Sequence, residues 1–297
     1  TDDDKSQVVT PTLLMSTEGL PEEQGVYERS APQQAQFEEI TGRFGFDWQT
    51  DILPWSDDSL LYAFYSRGYK GGGINPPQAS GLGSVDDAFD PEFINAYEIG
   101  TKSTILNGAG FLNLTAFYYD YEGYQISNII NRTALNVNVD AEVTGLEVEF
   151  FGQLTDSFAI NATLGLLDTE LGEVVTLDTY DQTGGDPDWV VVKNLGTAQN
   201  CIANVADVNT LLTANGGAFA GLAAFICTPD AAQATLGGAT LRDTLGALTP
   251  EIREGNPVDI TGNSLPRAPD TTFSLGGQYQ FDVGNWQPTI RGDYYYQ

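Results

Sequence analysis

Hydrophobic and polar residues alternate along much of this chain, most clearly between residues 140 and 171. Leu146 and Val148 alternate there with Glu147 and Glu149, and after a tight turn a second run alternates in the same way. A period of two residues predicts β-strands rather than helices. Runs of about ten residues with one apolar and one polar face are typical of strands that cross a membrane in a closed barrel. Soluble sandwiches also alternate, but their strands usually have about five or six residues.

The same alternation predicts eight strands, which begin near Phe37, Ser59, Glu92, Gly110, Asp140, Phe158, Asp270 and Trp286. Short turns follow the odd-numbered strands, and long connections follow the second, fourth and sixth. Outer-membrane barrels have this organisation, with short turns in the periplasm and long loops outside the cell. We therefore predict an all-β, antiparallel transmembrane barrel segment in the outer membrane of a Gram-negative bacterium.

The chain divides into four predicted parts. Residues 1–36 form an extracellular loop, and residues 37–171 form six barrel strands with their loops. Residues 172–264 form a long extracellular loop, in which Asn204–Leu212 and Asp230–Leu245 are predicted as short surface helices. Residues 265–297 form two further strands, the last of which is cut off by the end of the chain.

Charge excludes several functions. The chain has 41 acidic and 12 basic residues, no histidine and a net charge of −29. Such a protein repels nucleic acids, which bind to clusters of lysine and arginine. The absence of histidine removes the commonest transition-metal ligand and general base, and no nucleophile–base pair is recognisable. We therefore expect neither an enzyme nor a bound cofactor.

The two faces of the strands have different predicted surroundings. Aromatic residues near strand ends are expected at the lipid headgroups, where amphipathic rings are favoured; ordinary core aromatics are the alternative. They are Trp48, Tyr62, Tyr118, Trp286, Tyr294 and Tyr296. Charges of both signs on the polar face would be costly in a dry sandwich but suit a wet lumen or a polar plug. The predicted lumen-facing residues are Glu39, Arg43, Arg67, Glu98, Lys102, Glu147, Glu149 and Arg291.

Two features of the long loops, a pair of cysteines and clusters of acidic residues, each have two possible interpretations. Cys201 and Cys227 lie in the same segment, and a disulfide would suit an extracytoplasmic compartment; two free thiols are the other possibility. The loops also hold acidic clusters whose oxygen ligands suit calcium. Their spacing matches no standard calcium loop, which favours solvated acidic loops. The clusters are Asp178, Asp181, Asp186 and Asp188, and Asp86, Asp87 and Asp90.

Several stretches, in order along the chain, resemble TonB-dependent outer-membrane receptors. They are Thr41-Gly42-Arg43, residues 61–75 (Leu-Tyr-Ala-Phe-Tyr-Ser-Arg-Gly-Tyr-Lys-Gly-Gly-Gly-Ile-Asn), Phe93 with residues 96–102, residues 116–121, residues 145–149 and residues 265–269. The resemblance implies a 22-stranded barrel closed by an N-terminal plug domain. It also implies uptake of a scarce nutrient such as a ferric siderophore, driven through the plug by the TonB complex. The plug and its energy-coupling box have no counterpart here, so the chain is expected to be an interior piece of the barrel.

Candidate residues for ligand contact lie within the stretches that carry the resemblance. The glycine-rich stretch from Lys70 to Pro77 and the nearby Arg67 are candidates for ligand contact, with Arg67, Lys70 and Asn75 as the named residues. For the stretch from Lys70 to Pro77 the alternative is structural, because glycines let a chain leave a barrel wall at a required angle. For Arg67 the alternative is a lumen salt bridge to a neighbouring strand. Two other functions remain open: a passive or structural barrel without energy coupling, and a secreted carbohydrate-binding or adhesive β-protein.

Overall fold

The computed structural model describes residues 2–7, 33–76, 88–130, 133–178, 180–193, 200–217, 227 and 251–297. Within these ranges the chain is mostly β-structure. In chain order the elements are β1 (Asp2–Gln7), β2 (Gln33–Glu38), β3 (Gly42–Thr50), β4 (Asp58–Lys70), β5 (Gly73–Ile74), β6 (Ala88–Phe89), β7 (Glu92–Ile105), β8 (Gly110–Ile130), β9 (Thr133–Thr155), β10 (Phe158–Leu171), β11 (Val175–Leu177), β12 (Trp189–Lys193), β13 (Asn200–Asn204), α1 (Val205–Thr213), a 3-10 turn (Ala214–Gly217), β14 (Ile252–Arg253), β15 (Pro257–Asp259), β16 (Thr271–Gln280) and β17 (Thr289–Tyr296).

Eight of these strands form one antiparallel sheet in the order β17-β16-β10-β9-β8-β7-β4-β3. Each strand therefore lies beside the next one of the eight along the chain, as in an up-and-down barrel. The described strands leave β3 and β17 at the two edges, so the sheet is open. The predicted all-β, antiparallel fold with eight strands is confirmed.

Short turns join alternate pairs of these strands. The Asn107-Gly108 pair connects β7 to β8 with φ angles of 54° and 86°, the left-handed conformation that a tight hairpin turn requires. Residues 156–157 join β9 to β10, and residues 51–57 and 281–288 join the two outer pairs. The opposite ends of the strands carry the long connections, residues 71–91 and 172–270.

The connection between β8 and β9 differs from the prediction. A loop was expected from Glu122 to Val139, but the two strands continue as a ladder to Ile130 and Thr133. Gly123, with φ of 67°, forms part of a bulge after which Tyr124 pairs with Val139. The bulge interrupts the alternation in the sequence, which explains why the second half of the hairpin was not recognised.

The segments predicted as loops also contain ordered structure. β1 pairs with β2, β5 with β6, β11 with β15, and β12 with β13 and β14. The helix predicted at Asn204–Leu212 is confirmed as α1, and the Asn204 side chain caps it by accepting a hydrogen bond from Ala206 N at 2.9 Å. The second predicted helix, Asp230–Leu245, lies outside the described residues.

A small apolar core lies where the long connections meet the sheet. Its buried residues are Val139, Ala141 and Leu171, and it is flanked by Tyr121, Tyr124, Ile126, Val137, Val174, Ile260 and Leu265. Val174, Ile260 and Leu265 belong to the connection between β10 and β16. The base of that connection is thus packed against the β8–β9 hairpin.

Candidate functional site

The cross-strand register sorts the side chains of the sheet into two faces, because directly paired residues point to the same side. Val148 pairs with Leu114 and Leu164, whereas Glu149 pairs with Asn113 and Thr163. These two sides are named here the Val148 face and the Glu149 face. The Val148 face exposes many large apolar side chains, among them Phe44, Phe46, Ile99, Leu146, Leu275, Tyr279, Ile290 and Tyr294.

Most of the charged residues predicted for a lumen share the Glu149 face. The register places there Arg43, Glu98, Lys102, Glu147, Glu149 and Arg291. Glu39 lies between β2 and β3, outside the eight-stranded sheet. That this face borders a lumen stays a prediction, since the described strands do not close.

Two assignments in β4 are wrong. Tyr62 was predicted on the apolar face, but it pairs with Gly100 and shares the Glu149 face. Arg67 was predicted to face the lumen, but it pairs with Asn95 and shares the Val148 face. Residues 60–65 are all apolar or aromatic, so β4 has no clear alternation of its own and only its neighbours fix its faces.

Polar contacts link the strands across the Glu149 face. The Tyr62 hydroxyl donates to Glu98 at 2.8 Å and lies 2.9 Å from the Thr115 hydroxyl. Neighbouring side chains enclose a concavity of about 240 Å³, lined by Tyr62, Glu98, Lys102, Asn113, Thr115, Phe117, Tyr119, Glu147 and Glu149. Three carboxylates there oppose one ammonium group, so the surface suits a partner with amide or cationic side chains.

The two faces exchange character at one level of the sheet. On the Val148 face the last row before the exchange is aromatic: Tyr65, Tyr97 and Tyr118. The next row on that face is polar: Arg67, Asn95, Asp120, Glu142 and Glu170. On the Glu149 face of β9 the change is the reverse, from Glu147 to Val143, Ala141 and Val139. In the sequence this signal is a switch of the apolar positions along β9 from odd to even residue numbers, which the prediction missed.

The apolar part of the Val148 face has the height of a membrane band. On β9 it extends from Leu146 to Leu154. At about 3.4 Å per residue these eight steps span roughly 27 Å along the strand, or about 21 Å of height at the roughly 40° tilt of barrel strands. Outer-membrane barrels carry an apolar band about 25 Å tall, flanked by aromatic residues. The tyrosine row lies where the band ends on the side of the long connections.

Of the other predicted interface aromatics, Trp48, Tyr294 and Tyr296 lie on the Val148 face and are exposed. Trp286 lies in the turn between β16 and β17 and is also exposed. Tyr97, which the prediction missed together with Tyr65, lies between Tyr65 and Tyr118, with ring centres 5.1 Å apart for Tyr65–Tyr97 and 6.2 Å apart for Tyr97–Tyr118. Tyr65 and Tyr97 can be recognised only because they are in register with Tyr118, and this register is known only once the strands are paired.

The three candidate ligand residues lie near one end of the sheet, and each has protein partners. Arg67 donates to Asn95 at 2.8 Å and forms an ion pair with Glu122 at 3.3 Å. Lys70 forms an ion pair with Glu92 at 3.1 Å. Asn75 is only 1% exposed. Their role in ligand binding stays a prediction.

The described parts of the long connection between β10 and β16 are held together by the pairing of β11 with β15, the pairing of β12 with β13 and β14, and a disulfide. Cys201 and Cys227 are joined, with their Cα atoms 5.4 Å apart, and both are buried. Glu251 N donates to Asp207 at 3.0 Å, linking the returning chain to α1. Hydrogen bonds from the side chain and the backbone N–H of Thr261 hold the pKa of Asp259 below its usual value.

The acidic cluster in this connection uses its carboxylates locally. Asp178 accepts from the backbone N–H groups of Tyr180 and Asp181, at 2.8 and 3.1 Å, and Asp186 accepts from that of Asp188 at 2.9 Å. Among the residues that the structure describes, no group of three His, Cys, Asp or Glu side chains is arranged to hold a metal ion. Asp86 and Asp87 lie outside the described residues. Nor does any helix in the described ranges have the length and apolar character to span a bilayer.

Comparison with known proteins gives a family and several related folds. Residues 22–297 match the family model described as "TonB dependent receptor-like, beta-barrel". Among solved structures, the ferric yersiniabactin uptake receptor FyuA from Yersinia pestis is 14% identical, with a TM-score of 0.47 over 88% of this chain and 26% of that chain. BauA, the ferric preacinetobactin receptor from Acinetobacter baumannii, is 14% identical, with a TM-score of 0.43 over 89% of this chain and 26% of that chain. The ferric-catecholate import receptor Fiu from E. coli K12 is 15% identical, with a TM-score of 0.38 over 93% and 27%. This chain thus spans about a quarter of the length of these receptors.

Proposed function

Because the chain belongs to the TonB-dependent receptor β-barrel family, we propose that it forms part of the wall and outer rim of a receptor that imports a scarce nutrient such as a ferric siderophore. Members of this family are transporters of the Gram-negative outer membrane. The proposal assigns the Val148 face to lipid and the Glu149 face to the lumen. It also places the long connections, residues 71–91 and 172–264, outside the cell.

The observation that carries the proposal is the apolar band of the Val148 face, which ends at the row of Tyr65, Tyr97 and Tyr118. A band of exposed apolar side chains about 21 Å tall is expected to face hydrocarbon, because in water it would be a large unfavourable surface. The reversal above that row is expected if the upper parts of the strands stand in water.

The Glu149 face supports the second part of the proposal. Its hydrogen-bonded carboxylates, Glu98 and Glu149, offer a polar wall to a plug domain. In this family the plug receives work from the TonB complex, so we propose the plug and TonB as partners and expect no nucleic acid. The choice of a ferric siderophore rests on the range of ligands that the family imports.

The test uses the complete gene product in its own bacterium. Membrane fractionation should recover the protein in the outer membrane, and its release should require detergent. A deletion strain starved of iron should lose uptake of radioactive iron from at least one ferric siderophore in a panel. Restoring the gene should restore uptake, and a protonophore that abolishes the inner-membrane potential should block it.

Two results would replace this proposal with its alternatives. Uptake of small solutes that is insensitive to the protonophore would favour a passive barrel. Recovery of the intact protein in the aqueous phase without detergent would favour a secreted carbohydrate-binding or adhesive β-protein.

A further inference from the structure

Above the tyrosine row, the β8–β9 hairpin has a different long connection on each of its faces. This upper part, residues 124–127 and 134–139, is named here the hairpin arm. On the Glu149 face of the arm, Tyr124, Ile126, Val137 and Val139 belong to the apolar core that also includes Val174, Ile260 and Leu265 of the β10–β16 connection. On its other face, the amide side chains of Gln125 and Asn138 contact the β4–β7 connection, residues 71–91.

Two asparagines make paired hydrogen bonds to main chain across this second contact. The Asn75 Nδ2 donates to the Asn136 carbonyl at 2.9 Å, and the Asn136 N–H donates to Asn75 Oδ1 at 2.8 Å. In the opposite direction, Asn138 Nδ2 donates to the Asp90 carbonyl at 2.8 Å, and the Asp90 N–H donates to Asn138 Oδ1 at 2.8 Å. Each carboxamide thus pairs with a peptide group as a neighbouring strand would.

The pair between Asn75 and Asn136 lies at an edge of β9. β9 pairs with β10 only as far as Ala141, so the backbone groups of Asn136 on that side receive no partner from β10. An unpaired edge is a liability, and a buried unpaired peptide group is costly. Asparagine suits the position because its short side chain carries a donor and an acceptor in the arrangement of a peptide bond. At 1% exposure, Asn75 is placed for this pairing rather than for contact with a dissolved ligand.

The two asparagine pairs act on one piece of chain. Gly73 pairs with Phe89 and Ile74 with Ala88, so the two ends of the β4–β7 connection form a short ladder. Gln125 Nε2 donates to both ends, to the Gly71 carbonyl at 3.0 Å and the Asp90 carbonyl at 3.2 Å. Release of one end should therefore loosen the other.

We propose that Asn75 and Asn138 are positioning residues that together fasten the two described ends of the β4–β7 connection, residues 71–76 and 88–91, to the hairpin arm, so that these two ends move as one body. The role assigned to Asn75 is structural and does not depend on which nutrient the receptor imports. It predicts that loss of either asparagine side chain frees both ends of the connection.

Two backbone amides report on this directly: the Asn136 N–H, which bonds to Asn75, and the Asp90 N–H, which bonds to Asn138. Hydrogen–deuterium exchange with mass spectrometry would be measured on the complete receptor in detergent, without ligand, for Asn75→Ala and Asn138→Ala. Asn263→Ala is the matched control, since Asn263 is exposed and, within the part of the chain that the structure describes, forms hydrogen bonds only through its backbone. We expect exchange to become at least about tenfold faster at both reporter amides in both variants, because each variant loses the two hydrogen bonds of one carboxamide–peptide pair, and to stay unchanged in the control.

Three outcomes would overturn the proposal. The first is unchanged exchange at both reporters in either variant. The second is faster exchange only at the variant's own partner, which would mean two independent contacts. The third is faster exchange throughout the sheet, which would mean general loss of the fold. Because no ligand is present, failure of the transport proposal would leave this measurement and its interpretation intact.

Discussion

The assignment of the Val148 face to hydrocarbon makes a depth-dependent prediction. Val148 lies four residues from Thr144, which is in register with the tyrosine row. At about 3.4 Å per residue and a tilt of roughly 40°, Val148 is about 10 Å from the level of the tyrosine row. That depth is close to the middle of a band about 25 Å tall.

An arginine at this depth should be strongly destabilising. Val148→Arg places a charge in hydrocarbon, which costs about 2–4 kcal/mol near the midplane of a barrel protein, whereas the cost near the interface is about 0–1 kcal/mol. Thr144→Arg, at the level of the tyrosines, should therefore cost less than about 1 kcal/mol. Glu149→Arg, the next residue on the opposite face, tests whether an arginine in this strand is harmful in itself. It introduces the same side chain on the exposed polar side.

The measurement is guanidinium unfolding of the complete receptor in phospholipid vesicles, followed by tryptophan fluorescence, for the three variants beside the wild type. We expect the loss of unfolding free energy in the order Val148→Arg, then Thr144→Arg and Glu149→Arg together. Equal losses for Val148→Arg and Glu149→Arg would refute the lipid assignment. A larger loss for Thr144→Arg than for Val148→Arg would refute the position of the band edge.

Three further predictions follow from single contacts. Replacing Cys201 and Cys227 with serine removes a disulfide between residues 26 apart. The chain-entropy relation predicts a loss of about 3–4 kcal/mol of unfolding free energy. Limited proteolysis should therefore show new cleavage within residues 172–264, and unchanged cleavage would contradict the prediction. Gly123→Ala should weaken the hairpin arm by about 1–2 kcal/mol, because φ is 67° and an added Cβ would lie 3.0 Å from the Pro91 carbonyl; thermal unfolding measures this, with Gly292→Ala, where an added Cβ meets no atom within 4 Å, as the control. Tyr62→Phe removes the bonds to Glu98 and Thr115 and should cost about 0.5–1.5 kcal/mol, whereas Tyr180→Phe, at a fully exposed residue, should leave the unfolding midpoint unchanged.

The sequence predicted the strands best where one face was wholly apolar. In β10 and in the part of β9 that lies within the apolar band, Val148 and Leu164 alternate with Glu149 and Thr163, so both the existence and the faces of these segments followed from the pattern. β4 has a continuous apolar run at residues 60–65 and therefore lacks the alternation. Its faces are set by hydrogen bonding to β3 and β7, which puts Tyr62 beside Glu98. Which side each β4 residue faces therefore depends on its pairing with β3 and β7 and cannot be deduced from the β4 sequence alone.

The candidate ligand residues show a second limit of prediction. A glycine-rich stretch ending in Asn75 gives no local sign of what its polar side chain will meet. The partner is Asn136, 61 residues further along the chain. Long-range pairing of this kind has no periodic signal, because it depends on where two connections cross.

The reversal of faces in β9 connects these observations to the proposed function. A strand that only crossed a membrane would need about 9–11 residues, but β9 has 23. The additional length carries the opposite pattern, with Glu142 and Asn138 on the side where Leu146 and Val148 lie lower down. One regular strand can suit two different environments in this way. When the apolar residues shift from odd to even positions, the apolar face changes sides while the backbone stays the same. The part in the membrane requires an apolar outer side and the part beyond it requires an apolar side only where another connection covers it. The contacts of Asn138 and Val139 with the connections and the lipid contact proposed for Val148 are thus consequences of one pattern that switches once.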